Sequence, residues 1–119
     1  MSLVSMNVMP VYRISVFVPA EYAQRLIDGI CAVDDLRCGN YDRVLWTSAI
    51  GTEQFRPLAG AHPALGKVGE VTQVSCVRIE LCIARDETRL RRVIEQGIRA
   101  HHPWQTPAIF VDESQLPLA

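Results

Sequence analysis

The sequence predicts an α+β domain, one antiparallel sheet with two helices on a single face. Three observations predict it. Val11 to Val18 and Val74 to Ile83 alternate apolar and polar residues with the period of strands. Two later stretches repeat apolar residues with the period of helices. Their order along the chain is strand, helix, strand or strands, helix, strand.

In the first strand Tyr12, Ile14, Val16 and Val18 fall on one face, and Arg13 and Ser15 mark the more polar one. Pro19 opens the first helix, where its missing N–H costs nothing. Glu21 suits the positive end of the helix dipole. Ala23, Leu26, Ile27 and Ile30 form its apolar stripe. Asp34 and Asp35 begin the exit, and Gly39 and Asn40 complete it, since both residue types tolerate positive φ.

Arg43 to Ile50 is read as a second strand. Gly51-Thr52 is read as a turn, with Gln54 to Arg56 running back as an extra short hairpin strand. Pro57 ends it, and a Gly/Pro loop follows to about Thr72. In the next strand Val77, Ile79, Leu81 and Ile83 face one way, and Cys76, Arg78, Glu80 and Cys82 the other. The second helix runs from Asp86, its N-cap, to His101, with Leu90, Val93, Ile94, Gly97, Ile98 and His101 at helical spacing. Pro103 blocks its continuation. Ala108 to Val111 is the last strand.

Two right-handed crossovers in one antiparallel sheet give the split-βαβ, ferredoxin-like βαββαβ arrangement. Both helices then cover one face. The other carries Arg13, Arg78 and Glu80 with Cys76 and Cys82. It is too apolar to be simply solvated and is expected to pack against other subunits.

The 119 residues fit a single domain. Residues 11–112 are assigned to it. Residues 1–10 are read as a disordered end or an expression remnant, and 113–119 as a C-terminal tail. With 49% hydrophobic and 21% charged residues the composition is that of a globular protein. Net charge is −1, without the basic excess of a nucleic-acid binder. Arginine supplies all the basic residues but Lys67. No stretch approaches the roughly 20 apolar residues that span a membrane, and a signal peptide is not expected because Arg13 interrupts the apolar start. Four cysteines, Cys31, Cys38, Cys76 and Cys82, form no CxxC and no Cys/His cluster. They are read as reduced, mostly buried thiols of a cytoplasmic protein.

Gly39 to Glu80 is the most irregular block, with Gly51, Gly60, Gly66 and Gly69 interspersed with Pro57 and Pro63. Gly60 to Val68 superficially resembles a phosphate loop. It fails because Gly60 and Gly66 are one residue too far apart, Val68 replaces the Ser/Thr, and no helix follows. His62, His101 and His102 show no HxH, HxxxH or HExxH spacing, so no metal site is expected. Arg85, Arg89, Arg92 and Arg99 share one side of the second helix and read as a solvated, salt-bridged face with Glu95. No spacing of Ser, His and Asp or of paired carboxylates nominates catalytic residues.

Several local motifs together resemble a known family. They are Gly39-Asn40-Tyr41-Asp42, Phe55-Arg56-Pro57-Leu58, Gly60, His62-Pro63, Gly66, Val77-Arg78-Ile79-Glu80, and His102-Pro103-Trp104-Gln105-Thr106-Pro107-Ala108, the last similar to the motif HPYEEPAY. The set resembles the Nif-three-like (NGG-one-interacting factor three) family. It matches the domain inserted in the longer members and the bacterial proteins in which that domain stands alone, over roughly residues 11–112. The resemblance implies the PII/CutA-like form of the ferredoxin-like fold, which is trimeric in both groups.

The resemblance also implies an absence. Longer members hold a dinuclear metal in a flanking core domain that this sequence does not contain, so their label as type-two GTP cyclohydrolase I-like is not carried over. Two departures remove carboxylates: Trp104-Gln105-Thr106 stands where Tyr-Glu-Glu is usual, and Cys76 where an acidic residue is expected. The chain is accordingly expected to be non-catalytic, without cofactor or metal. The tentative ligand-binding residues are Asn40, Tyr41, Arg56, His62, Glu80 and His102. The His62 and His102 loops should be neighbours, with Asn40 and Tyr41 at the far end of the same monomer. The expected activity is small-ligand or ion binding with loop rearrangement in a homo-oligomer, a trimer being favoured. The alternative is an assembly module for a protein partner, and an enzyme comes last. The same motifs also read as turn chemistry alone, with Gly for positive φ, Pro for rigidity, and Asn and His as caps.

Overall fold

The computed structural model describes residues 7–118. The strands are β1 (Val8–Pro19), β2 (Trp46–Thr47), β3 (Gly51–Phe55), β4 (Thr72–Ala84) and β5 (Ile109–Pro117). Helix α1 (Ala23–Val33) follows a 3-10 turn, Ala20–Tyr22. Helix α2 (Glu87–Arg92) continues as a π-helical segment, Val93–Ile98, and a 3-10 turn, Arg99–His101. The Asp86 side chain caps α2 by accepting from the N–H groups of Thr88 and Arg89.

The sheet has order β2-β4-β1-β5 with β3 also on β4, and every pairing is antiparallel. This is the ferredoxin-like α+β fold that the element order implies. Ile14, Val16 and Val18 of β1 and Val77, Ile79, Leu81 and Ile83 of β4 point to the helices. They meet Leu26 and Ile30 of α1 and Val93 and Ile98 of the second helix in one buried cluster. Each such aliphatic side chain contributes roughly 1.5–3 kcal/mol by leaving water.

The two helical segments approach closely because of two glycines. A Cβ on Gly97 would lie 3.1 Å from Val33 and 3.4 Å from the Ile30 backbone. A Cβ on Gly29 would collide with the His101 ring. That ring also bonds the Gly97 carbonyl through Nδ1 at 2.8 Å. The wide π-helical turn thus ends on an imidazole seated over α1.

Three expectations need correction. First, Gly51 makes no hairpin. β2 and β3 run in the same direction along β4, as two parts of one edge strand. Their registers differ by one residue: Trp46 pairs with Glu80 and Thr47 with Ile79, but Gly51 pairs with Cys76. The extra residue is a β-bulge at Ala49–Ile50. The Ser48 hydroxyl stabilises it, accepting the Arg78 N–H at 2.8 Å and donating to the Ala49 carbonyl at 2.8 Å. Second, the strand does not begin at Arg43. Arg43 has φ +54°, and the N–H groups of Arg43 and Val44 bond Asp35 and Leu36 carbonyls at the exit of α1. Third, the sheet reaches further at both ends. Val8 to Pro10, expected in a disordered end, pair with Pro117 to Gln115, which were read as tail. Residues 1–6 of that expected end lie outside the described residues.

Those extensions lengthen the molecule. Its principal extents are 53 × 32 × 26 Å and its radius of gyration is 16.3 Å, against about 13.5 Å for a compact chain of this length. A 12-residue β1 runs roughly 40 Å.

The sheet face away from the helices is uncovered. Phe110, Ser15, Glu80 and Trp46 lie opposite one another in a row across four strands. Phe110 is 56% exposed and Trp46 50%.

Candidate functional site

The 16 residues between β3 and β4 form a loop, 56–71. It folds back on itself through three backbone bonds: Gly69 N–H to Pro57, Ala61 N–H to Leu58, and Glu70 N–H to Lys67. Gly66 (φ +84°) and Gly69 (φ +82°) make the reversals, in a region that side chains disfavour. Gly66 also sits where a Cβ would meet the Thr72 hydroxyl at 2.7 Å.

This loop, the end of β3 and the turn after the second helix line an open cavity of about 220 Å³. Phe55 and Trp104 form its aromatic corner, with ring centroids 5.5 Å apart at 63°. Glu53, His62, Gln105 and Thr106 are its polar side chains. Trp104, Gln105 and Thr106 are the positions at which the sequence departs from the HPYEEPAY motif.

His102 braces the corner from behind. It is buried, and its Nε2–H donates to the Phe17 carbonyl at 2.7 Å while Nδ1 accepts the Trp104 N–H at 3.0 Å. These partners assign the neutral tautomer with the proton on Nε2. Burial is the main cause that holds the His102 pKa below its ordinary value, outweighing the Phe17 bond and the negative charge of Glu53. Glu53 also accepts from the Cys76 thiol at 3.4 Å. Desolvation, with Glu53 second, pushes that thiol up to about 12.

The structure brings two of the six sequence-predicted residues together and scatters the other four. His62 lines the small cavity, and His102 supports it with both ring nitrogens committed within the chain. The His62 and His102 loops are therefore neighbours. Arg56 is exposed and does not line the cavity. Asn40 lies in the tight turn closed by reciprocal bonds between Cys38 and Tyr41, and Tyr41 is 76% exposed. Glu80 sits on the uncovered sheet face, accepting from the Ser15 hydroxyl at 2.9 Å with Arg13 at 3.7 Å. Its sequence neighbour Arg78 lies over Trp46, 5.0 Å from the ring centroid.

Glu80 lines a second, larger cleft of about 1030 Å³, together with Gly39 and Trp46. One wall of that cleft is an ion pair that sequence reasoning missed. Arg89 grips Asp34 through two 2.8 Å bonds, and Arg92 stands 3.7 Å away. The Arg face of the second helix is thus mostly committed, since Arg85 also bonds the Ser114 carbonyl. Only Arg99 with Glu95 matches the expected surface pair. Sequence reasoning also missed Glu53 and Phe55 as cavity residues. Their alternation in a strand next to Pro57 was the available signal, obscured by the hairpin reading. Among the described residues no group of three or more His, Cys, Asp or Glu side chains is placed to hold a metal ion. No described helix is long and apolar enough to cross a membrane.

No family model matches the chain. Individual proteins do. A Staphylococcus epidermidis protein named GTP cyclohydrolase 1 type 2 homolog is 26% identical over 106 residues, 89% of this chain and 28% of that protein. One of the same name from Mycobacterium tuberculosis is 32% identical over 96 residues, 81% of this chain and 24% of its own. The structure superposes on a Bacillus cereus protein related to NIF3 with TM-score 0.69 and 26% identity, covering 99% of this chain and 28% of the other. These matches support a Nif-three-like domain, similar to about a quarter of each relative.

This Nif-three-like chain spans about a quarter of the length of the curated relatives it matches. Its fold is also that of the divalent ion tolerance protein CutA1 from Ehrlichia chaffeensis. The TM-score is 0.60 at 18% identity, over 92% of this chain and 83% of CutA1. That likeness is one of fold.

Proposed function

We propose that this Nif-three-like domain is an oligomeric, non-catalytic binding module that takes a small ligand at the Phe55–Trp104 corner and reports occupancy through the 56–71 loop. The observation that carries the reading is the cavity itself. It is walled by two aromatic rings and a few convergent polar groups, the usual make-up of a ligand site. Its lid is a loop tied by few backbone bonds, so ordering it on binding is inexpensive to reverse.

The chemistry of the site favours binding over catalysis. His102, behind the cavity, has both nitrogens committed, and Glu53 accepts from the Cys76 thiol. His102 is therefore not free to act as a base on a bound molecule. The cyclohydrolase name belongs to relatives of which this chain matches a quarter.

Oligomerisation rests on the uncovered sheet face. Phe110 and Trp46 are large, exposed and aligned in one row, and such a patch marks an interaction surface. A homotrimer packed on this face is the assembly proposed. The same face supports the second reading, an assembly module that binds a protein partner without any small molecule.

The test is a panel of anionic metabolites, nucleotides, divalent cations and organic amines. Thermal shift identifies binders, and hydrogen exchange follows the loop. A stabilising ligand that slows exchange in 56–71 supports the binding module. Capture of a protein partner with no small-molecule response supports the assembly reading.

A further inference from the structure

The small cavity has a wall whose charge selects its ligand. Glu53 is the only Asp, Glu, Lys or Arg among its lining residues. Phe55 and Trp104 present aromatic rings at 63° to one another, each ring negative on its face. The His102 ring behind Trp104 is uncharged, because its Nδ1 accepts an N–H. Arg56, the nearest basic residue in sequence, does not line the cavity. An anion entering here would meet a carboxylate and two aromatic rings, and no basic counter-charge from Lys or Arg.

We propose that this cavity takes a small organic cation, an ammonium or methylated ammonium group seated against Trp104 and Phe55 with Glu53 as its counter-charge. The proposal rests on the reading of this cavity as a ligand site and names the class of ligand. A cation within about 6 Å of a ring centroid is attracted by the ring, most strongly by Trp. The two centroids are 5.5 Å apart, so one compact cation reaches both. The volume of about 220 Å³ admits an amine head group. His62 and Gln105, on the rim, supply acceptors for an N–H or a hydroxyl carried by the ligand.

The experiment follows the Trp104 indole resonance of the full chain during titration with three probes. They are choline, its neutral isostere with carbon in place of the quaternary nitrogen, and inorganic phosphate. The expected result is saturable movement of Trp104 with choline, Trp46 unmoved, and binding of the isostere at least about tenfold weaker. Glu53→Gln, which keeps an acceptor for Cys76, weakens choline by about tenfold, as loss of a counter-charge in a partly buried site requires. Equal binding of choline and the isostere overturns the charge assignment and leaves the ligand site standing. So does tighter binding of phosphate at Trp104. Silence of Trp104 towards all three probes overturns the cation proposal and counts against the site itself.

Discussion

Arg89 holds Asp34 through two parallel 2.8 Å bonds, across 55 residues of sequence, and so ties the exit of α1 to the first turns of the second helix. The Asp34 side chain is 3% exposed and that of Arg89 24%. The Leu36 N–H donates to the same carboxylate. Removing Arg89 leaves the buried Asp34 carboxylate with Arg92 alone at 3.7 Å, so Arg89→Ala is expected to lose about 3 kcal/mol of stability in urea unfolding.

The pair has a pH signature. The Arg89 bonds hold the Asp34 carboxyl below its ordinary range, against the opposing effect of burial. The unfolded chain then takes up the proton first, near pH 4. The contribution is complete above about pH 4 and is lost as acid passes through the folded-state pKa. Asp34→Asn should flatten that part of the stability–pH curve. An unchanged acid limb would show that other carboxylates control it.

Gly29 and His101 make a second prediction. Alanine normally stabilises a helix interior by about 1 kcal/mol relative to glycine. Here its methyl would strike the His101 ring, so Gly29→Ala should destabilise by about 2 kcal/mol. In a His101→Ala background the same change should become neutral or stabilising. That reversal is measured by a double-mutant cycle.

The thiols should separate cleanly in labelling. Cys38 is exposed and Cys76 buried. With its thiol pushed up to about 12, Cys76 holds only about one part in ten thousand of thiolate at pH 8. Cys38 should react quickly with a disulfide reagent, and Cys76 only at the rate of global unfolding. Fast modification of Cys76 in the folded chain would contradict the Glu53 contact.

The uncovered sheet face leads to a mass measurement. Light scattering should return a multiple of the 13.3 kDa chain mass, with three copies proposed. Phe110→Asp should reduce it towards one copy while the far-ultraviolet spectrum stays unchanged. A wild-type protein that is monomeric at high concentration would remove the oligomer from the account.

Much of this fold was legible because its signals are local. The alternation in β1 and β4 and the stripe of Leu26 and Ile30 follow directly from burial on one side. The bulge between β2 and β3 was not legible, because it depends on the Ser48 hydroxyl taking a ladder N–H from another strand. The Asp34–Arg89 pair was hidden for a similar reason. Arg89 shares its helix face with Arg85, Arg92 and Arg99, and only the tertiary structure shows which of them grips Asp34. The proximity of the His62 and His102 loops followed from topology alone. The direction of the His102 nitrogens did not, and they point to Phe17 and Trp104.

The central claim is that the 56–71 loop and the Trp104 turn close on a small ligand. Hydrogen exchange of the full chain against the panel of metabolite classes tests it most directly. The account predicts that at least one class slows exchange saturably in residues 56–71 and around Trp104, with β1 and β4 unchanged. Unaltered exchange in that loop with every class at millimolar concentration would contradict it.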